Sequence, residues 1–305
     1  MSDGYTIVAG ASGNLGHRIV EALVGRGARV RALVRRDGAS EERDRLRAVG
    51  AAVEEVEYSE PASLARACAG GTCVVSALSG LRDVIVDAQS QLLDAAVAAG
   101  VPRFIPSDYC IDYTTLSRGE NRNLDLRAEF RARLDVAPIA ATSVLNGMFT
   151  DLLLGPAPVV LFPLRRVLYW GDADQPLDFT TIANTAAVTA AAALNARGPR
   201  FLRVAGDVVT ARELAHAASD ATGHRFRLLR AGGLRRLAWL IRITRRLAPG
   251  RGQTFPPWQG MQYLRDMFSG RAKLAPLDNA RFPEVRWTSV RDVLARRKAG
   301  DPQAR

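Results

Sequence analysis

The first half of the chain alternates between two hydrophobic periods. "YTIVAG" (residues 5–10) is a short apolar run stopped by glycine, the pattern of a strand buried on both faces. "LGHRIVEALVGRG" (15–27) repeats its apolar positions at spacings of three, four and seven, then stops at glycine, the pattern of an amphipathic helix. Strand "ARVRALV" (28–34), helix "EERDRLRAVG" (41–50), strand "AAVEEVEY" (51–58), helix "PASLARACAG" (61–70) and strand "TCVVSAL" (72–78) follow. A long helix, "LRDVIVDAQSQLLDAAVAAG" (81–100), leads into a fifth strand, "VPRFIPSD" (101–108). The helix "NLDLRAEFRARLD" (123–135) and a sixth strand, "IAATSVL" (139–145), complete the series. Strands separated by helices predict right-handed crossovers and a doubly wound α/β parallel sheet with helices on both faces.

Past residue 150 the regularity weakens. Prolines and short strands surround one Ala-rich helix, and "TARELAHAASDATG" (210–223) is a helix whose Thr210 and Glu213 have the spacing of a capping box. The pattern predicts a cofactor-binding domain over 1–150 and a smaller, irregular substrate lobe over 151–305.

The turn after the first strand reads Gly10, Ala11, Ser12, Gly13, Asn14, Leu15, Gly16 and opens a helix. Glycines there permit a sharp turn, close approach of backbone to a pyrophosphate, and tight packing of helix on strand. The helix start adds unpaired N–H groups and a favourable dipole. This is the chemistry of a Rossmann-type dinucleotide site. At the end of the second strand, where an acid commonly meets the ribose 2′-hydroxyl, stand Arg35 and Arg36. Guanidinium groups there accept a 2′-phosphate that a carboxylate would repel, so the expected cofactor is NADP(H) rather than NAD.

"GASGNLG", "LVRR" and "VPRFIPSD" together resemble the NmrA-like atypical short-chain dehydrogenases, a group of isoflavone reductase-like enzymes and NADP-sensing regulators. The resemblance implies NADP(H) held by Gly10–Gly16 and the arginine pair, with further contacts from Ser76, Ala77 and Leu78 and from Ser107. It also implies Glu57 near the adenine, and Asn146, Gly147, Met148 and Phe149 on the nicotinamide side. The implied activity is NADPH-dependent reduction of a small carbonyl or conjugated, aromatic substrate. The implied alternative is a non-catalytic redox sensor acting through a protein partner.

In the reductases of this group the fifth strand ends in Pro-Ser-Glu-Phe-Gly and a lysine follows on the next helix. Here the motif reads Pro106-Ser107-Asp108-Tyr109-Cys110, and Arg127 aligns with the lysine. The only lysines are Lys273 and Lys298. An arginine orients a phosphate, ribose or oxyanion but does not shuttle protons near neutral pH. Asp108, Tyr109, Asp112 and Tyr113 are the remaining candidates for proton transfer; Tyr109, Asp108 and Arg127 form the expected catalytic set. No metal site is expected.

Composition adds bounds. Hydrophobic residues make up 48% and charged residues 24%, enough for a substantial core. The three cysteines, Cys68, Cys73 and Cys110, have no metal-ligand spacing and predict reduced thiols in the cytoplasm. The opening "MSDGYTIVAG" enters a strand at once, so no secretory leader is expected, and no apolar run is long enough to span a bilayer. Of the net charge of +11, nine arginines between residues 225 and 251 supply +9 with no acid among them. The preferred reading is a solvated face on a packed helix, with nucleic acid or a membrane surface as the alternatives. The expected partner is a small-molecule substrate, with a homodimer or a protein partner as the assembly alternatives.

Overall fold

The computed structural model describes residues 4–155 and 157–297. The first elements are β1 (Tyr5–Ala9), α1 (Asn14–Val24), β2 (Val30–Arg35), α2 (Ser40–Val49), β3 (Ala52–Val56), α3 (Pro61–Cys68), β4 (Gly71–Ser76), α4 (Gln89–Ala98), β5 (Arg103–Ile105), α5 (Arg122–Leu134) and β6 (Ala140–Ala141). The six strands form one parallel sheet in the order β3-β2-β1-β4-β5-β6, as the alternation predicted. The strand order reverses between β1 and β4, and in open α/β sheets ligands bind at such a switch point beyond the carboxyl ends of the strands. Ala9 pairs with Leu33 and Ser76, and Arg35 with Val56, so the glycine turn, the arginine pair, Glu57 and Ser76–Leu78 all leave the sheet at one edge. The core beneath is built from Ile7, Leu33, Val74 and Phe104 of the strands and Leu92, Leu93 and Phe130 of the helices. The rings of Phe104 and Phe130 lie 6.0 Å apart at 42°.

Two elements depart from their sequence patterns. The long helix opens with a π-helical stretch over Asp83–Ala88 before α4 begins. The sixth strand breaks at Thr142. Thr142 N–H still donates to the Phe104 carbonyl at 3.1 Å, but Ser143 N–H donates to the Arg200 carbonyl at 2.8 Å, so the chain leaves the large sheet.

The later elements are β7 (Ser143–Leu145), β8 (Met148–Phe149), β9 (Val160–Leu161), β10 (Arg166–Trp170), β11 (Leu177–Thr180), α6 (Ile182–Leu194), β12 (Phe201–Arg203), β13 (Asp207–Val209), α7 (Ala211–Thr222), β14 (Arg227–Gly232), α8 (Leu234–Leu247), α9 (Pro257–Phe268) and α10 (Val290–Arg296). The chain forms two compact units, and it crosses between them after Tyr109, Asn123, Val144, Asn184 and Leu202. The first unit therefore takes in residues 185–202 as well as the large sheet. Buried Arg103 shows why: its Nη1 donates to the Ala192 carbonyl at 2.7 Å, closing the carboxyl end of α6 against β5. The second unit carries the small sheets β14-β10-β9 and β13-β11-β8. Its α7 has the capping box expected, with Glu213 N–H donating to Thr210 Oγ1 at 3.1 Å and Thr210 N–H to Glu213 Oε2 at 2.8 Å.

Candidate functional site

The turn from β1 into α1 closes only with glycine at two of its three glycine positions. Gly10 has φ +74°, and an added Cβ would sit 2.7 Å from the Ala77 carbonyl oxygen. At Gly16 the added Cβ would lie 2.1 Å from the Gly10 carbonyl oxygen. Gly13 differs: its φ is −73° and its nearest neighbour would be 3.4 Å away. Ser12, Gly13 and Asn14 are exposed, Ala11 and Gly16 are buried, and no side chain caps α1. An uncapped helix start with an exposed backbone turn is a cradle for an anion. The glycine turn therefore fits a dinucleotide pyrophosphate.

Arg35 and Arg36 follow at the same edge, both exposed. Arg35 Nε lies 3.6 Å from Asp37 Oδ1, and Arg36 forms a two-bond pair with Glu60, at 3.2 and 3.1 Å. Glu57 folds onto its own turn: Oε1 accepts from Ser59 N–H at 3.3 Å and Ser59 Oγ at 3.0 Å. These Ser59 hydrogen bonds hold the Glu57 carboxyl below its ordinary range.

At the carboxyl end of β4, Ser76 is fully buried with no hydrogen-bond partner for its Oγ, while Ala77 N–H donates to the Ala9 carbonyl at 2.8 Å. The structure brings Leu78, Ser107 and Arg127 together. Ser107 Oγ donates to the Leu78 carbonyl at 2.6 Å, and Arg127 Nε donates to the Ser107 carbonyl at 3.1 Å. A residue missed by sequence reasoning completes the cluster: buried Gln89 accepts from Ser107 N–H at 2.9 Å and donates to the Ile85 carbonyl at 2.9 Å. The signal for it was an amide inside the apolar run "VIVDAQSQLL". Its carbonyl partner, Ile85, belongs to the π-helical stretch.

Asp108 is buried, and its Oδ2 accepts from Ser143 Oγ at 2.7 Å; the same Ser143 oxygen accepts from Arg200 Nη1 at 2.7 Å. Tyr109 is buried beside Thr189. The Thr189 hydroxyl is committed to the Thr185 carbonyl at 2.7 Å, and the Tyr109 hydroxyl completes no well-formed hydrogen bond. Burial pushes the Tyr109 hydroxyl well above its ordinary range, so it keeps its proton at neutral pH. Asp112 and Tyr113, also buried, belong to the second unit, where Asp112 Oδ2 accepts from Arg203 Nε at 2.6 Å.

Asn146–Phe149 also lies in the second unit. Asn146 is fully buried with neither side-chain polar atom hydrogen-bonded. Gly147 has φ +70°, and a Cβ there would meet the Asp178 carbonyl oxygen at 2.3 Å, so the turn requires glycine. Met148 and Phe149 pair with Phe179 and Thr180 and are half-buried. The three cysteines are buried and none forms a disulfide; burial raises the Cys68 thiol to about 11 and that of Cys73 to about 12, leaving both as inert thiols. Lys298 lies outside the described residues.

The model of the NmrA-like family matches residues 3–233. The chain belongs to that family. Pinoresinol reductase 1 of Arabidopsis thaliana is 30% identical over 198 residues, a match that spans 60% of this chain and 62% of that relative's length. Among solved structures, AtPrR2 with NADP+ and (+)pinoresinol has a TM-score of 0.80 at 22% identity, covering 96% of this chain and 98% of that one. The binary complex of leucoanthocyanidin reductase with NADPH from Vitis vinifera has a TM-score of 0.79 at 16% identity, covering 96% and 99%. At these identities the likeness establishes the Rossmann-type fold.

Proposed function

We propose that the chain is an NADPH-dependent reductase acting on a small carbonyl or conjugated aromatic compound. The observation that carries the reading is the cradle at the switch point: a turn closed by Gly10 and Gly16, an uncapped α1, and two arginines at the same sheet edge. The similarity to pinoresinol reductases supports an aromatic acceptor. We set the reaction in the cytoplasm, where buried thiols stay reduced.

In this reading Ser12–Asn14 hold the pyrophosphate, Arg35 and Arg36 the 2′-phosphate, and Glu57 borders the adenine. Ser76, Ala77, Leu78 and Ser107 line the cofactor further along the edge. Bound NADPH supplies the hydride. Arg127 fixes the Ser107 carbonyl and contributes a permanent positive charge, without moving a proton. Tyr109 retains its proton at neutral pH and donates it to the substrate oxygen. Asp108, tied to Ser143, positions the loop that carries Tyr109.

The test is NADPH oxidation by the purified protein against quinones, aromatic ketones and conjugated lignan-like ethers, with NADPH binding measured in parallel. Turnover of an acceptor with preference for NADPH over NADH supports the reading. Tight NADPH binding with no acceptor reduced above background, and a protein partner whose affinity follows cofactor occupancy, would replace it with the sensor.

A further inference from the structure

We propose that the outward face of α8 docks on an anionic membrane surface. On the inner side of this helix Leu237 and Ile241 are buried. On the opposite side Arg235, Trp239, Arg242 and Arg246 follow one another at spacings of four, three and four, which aligns them in one row along the helix. Trp239 stands in the middle of the row with 52% of its surface exposed. Leu247, at the end of the helix, is 81% exposed, and Phe255, in the turn that follows, 61%.

The charges in that row are unneutralised. Some exposed arginines elsewhere have carboxylate partners, as in Arg36–Glu60, Arg133–Asp94, Arg212–Asp174 and Arg271–Glu120. Among the described residues no ion pair involves Arg235, Arg236, Arg242 or Arg246, and residues 225–251 contain no acid to form one. Like charges three and four residues apart repel on a helix, so the row gains from an external sheet of negative charge.

The apolar members identify the partner. A tryptophan ring flanked by long cationic side chains suits the headgroup boundary, where the ring enters the acyl region and the guanidinium groups remain among phosphates. Leu247 gains little from a nucleic-acid base or phosphate but gains by burial at the edge of the hydrocarbon. A second copy of the same face brings a second row of positive charge and repels it. The helix is about 21 Å long, and no helix among the described residues is long and apolar enough to cross a membrane, so α8 lies flat on the surface. Docking of this face and reduction of a substrate are independent properties; either holds without the other.

The test sediments the full chain with vesicles of phosphatidylcholine alone and with vesicles containing about one-third phosphatidylglycerol. The protein should pellet with the anionic vesicles only, release as salt rises, and show a blue-shifted tryptophan emission that Trp239→Phe abolishes. Trp239→Ser, and separately the triple change Arg235→Glu, Arg242→Glu, Arg246→Glu, should each lower vesicle affinity at least about tenfold. Circular dichroism and NADPH titration confirm that the variants remain folded. Wild-type protein left in the supernatant at low salt overturns the proposal, as does undiminished pelleting of both variants. Binding of single-stranded oligonucleotide with Trp239 quenched, in place of vesicle binding, assigns the face to nucleic acid instead; a dimer broken by Trp239→Ser, in place of vesicle binding, assigns it to a second copy.

Discussion

Arg36 and Glu60 meet fork to fork, with Arg36 Nη1 and Nη2 donating to the two Glu60 carboxylate oxygens at 3.2 and 3.1 Å. Both side chains are about half exposed, so the pair contributes between about 0 and 1 kcal/mol to stability. In the proposed site its larger effect is on the cofactor, because Glu60 occupies Arg36 donors that would otherwise meet a 2′-phosphate. Glu60→Gln should raise NADPH affinity by roughly two- to fivefold, the equivalent of a lost exposed pair, and leave NADH affinity unchanged. Arg36→Ala should cost about 1–3 kcal/mol for NADPH and little for NADH. Fluorescence titration of both cofactors measures each effect.

The glycine turn separates structural from binding roles. Gly16→Ala forces a methyl group onto the Gly10 carbonyl and should destabilise the fold by about 1–3 kcal/mol or more. Gly13→Val meets no such clash in the fold and should retain cooperative unfolding while losing NADPH binding, since in the proposed site its side chain would occupy pyrophosphate space. Thermal melts combined with titration distinguish the two outcomes.

Tyr109→Phe removes a buried hydroxyl that completes no well-formed hydrogen bond. Its effect on stability should be below about 1 kcal/mol, of either sign. Turnover should fall markedly while NADPH affinity is preserved, the pattern of an interaction made only in the transition state. Unchanged turnover in this variant would remove Tyr109 from the proton path.

Asp266 is fully buried in α9, accepting from Asn121 Nδ2 at 2.8 Å and from Arg265 Nη2 at 2.6 Å. Desolvation, the largest influence, raises its carboxyl above the ordinary range despite these donors. A carboxyl raised in the fold stabilises most below its unfolded value and loses that contribution as pH climbs through its folded value. The stability of wild type relative to Asp266→Asn should therefore improve as pH falls from about 7 toward about 4. Asp266→Ala removes an acceptor from Asn121 and the carboxylate partner of Arg265 and should cost about 3–5 kcal/mol. Urea midpoints across that pH range test both statements.

Local spacing determined the parallel sheet, the helices on its faces and the glycine turn, because hydrophobic period and backbone requirements act over a few residues. Gly10, whose φ is positive, and Gly16, packed on Gly10, were legible for that reason. So were the arginine pair at the end of β2 and the acid-free run over 225–251. Tertiary structure alone decided which partner each polar group meets. The sixth strand breaks at Thr142 because Ser143 finds its acceptor on Arg200, and Gln89 braces Ser107 across 18 residues of chain. Glu60 reaches Arg36 across 24 residues. The exposure of Trp239 among unpaired arginines likewise depends on which face of α8 the rest of its unit covers. A hydrogen bond or a buried face is settled by chain segments distant in sequence, and the spacing within any one segment does not encode them.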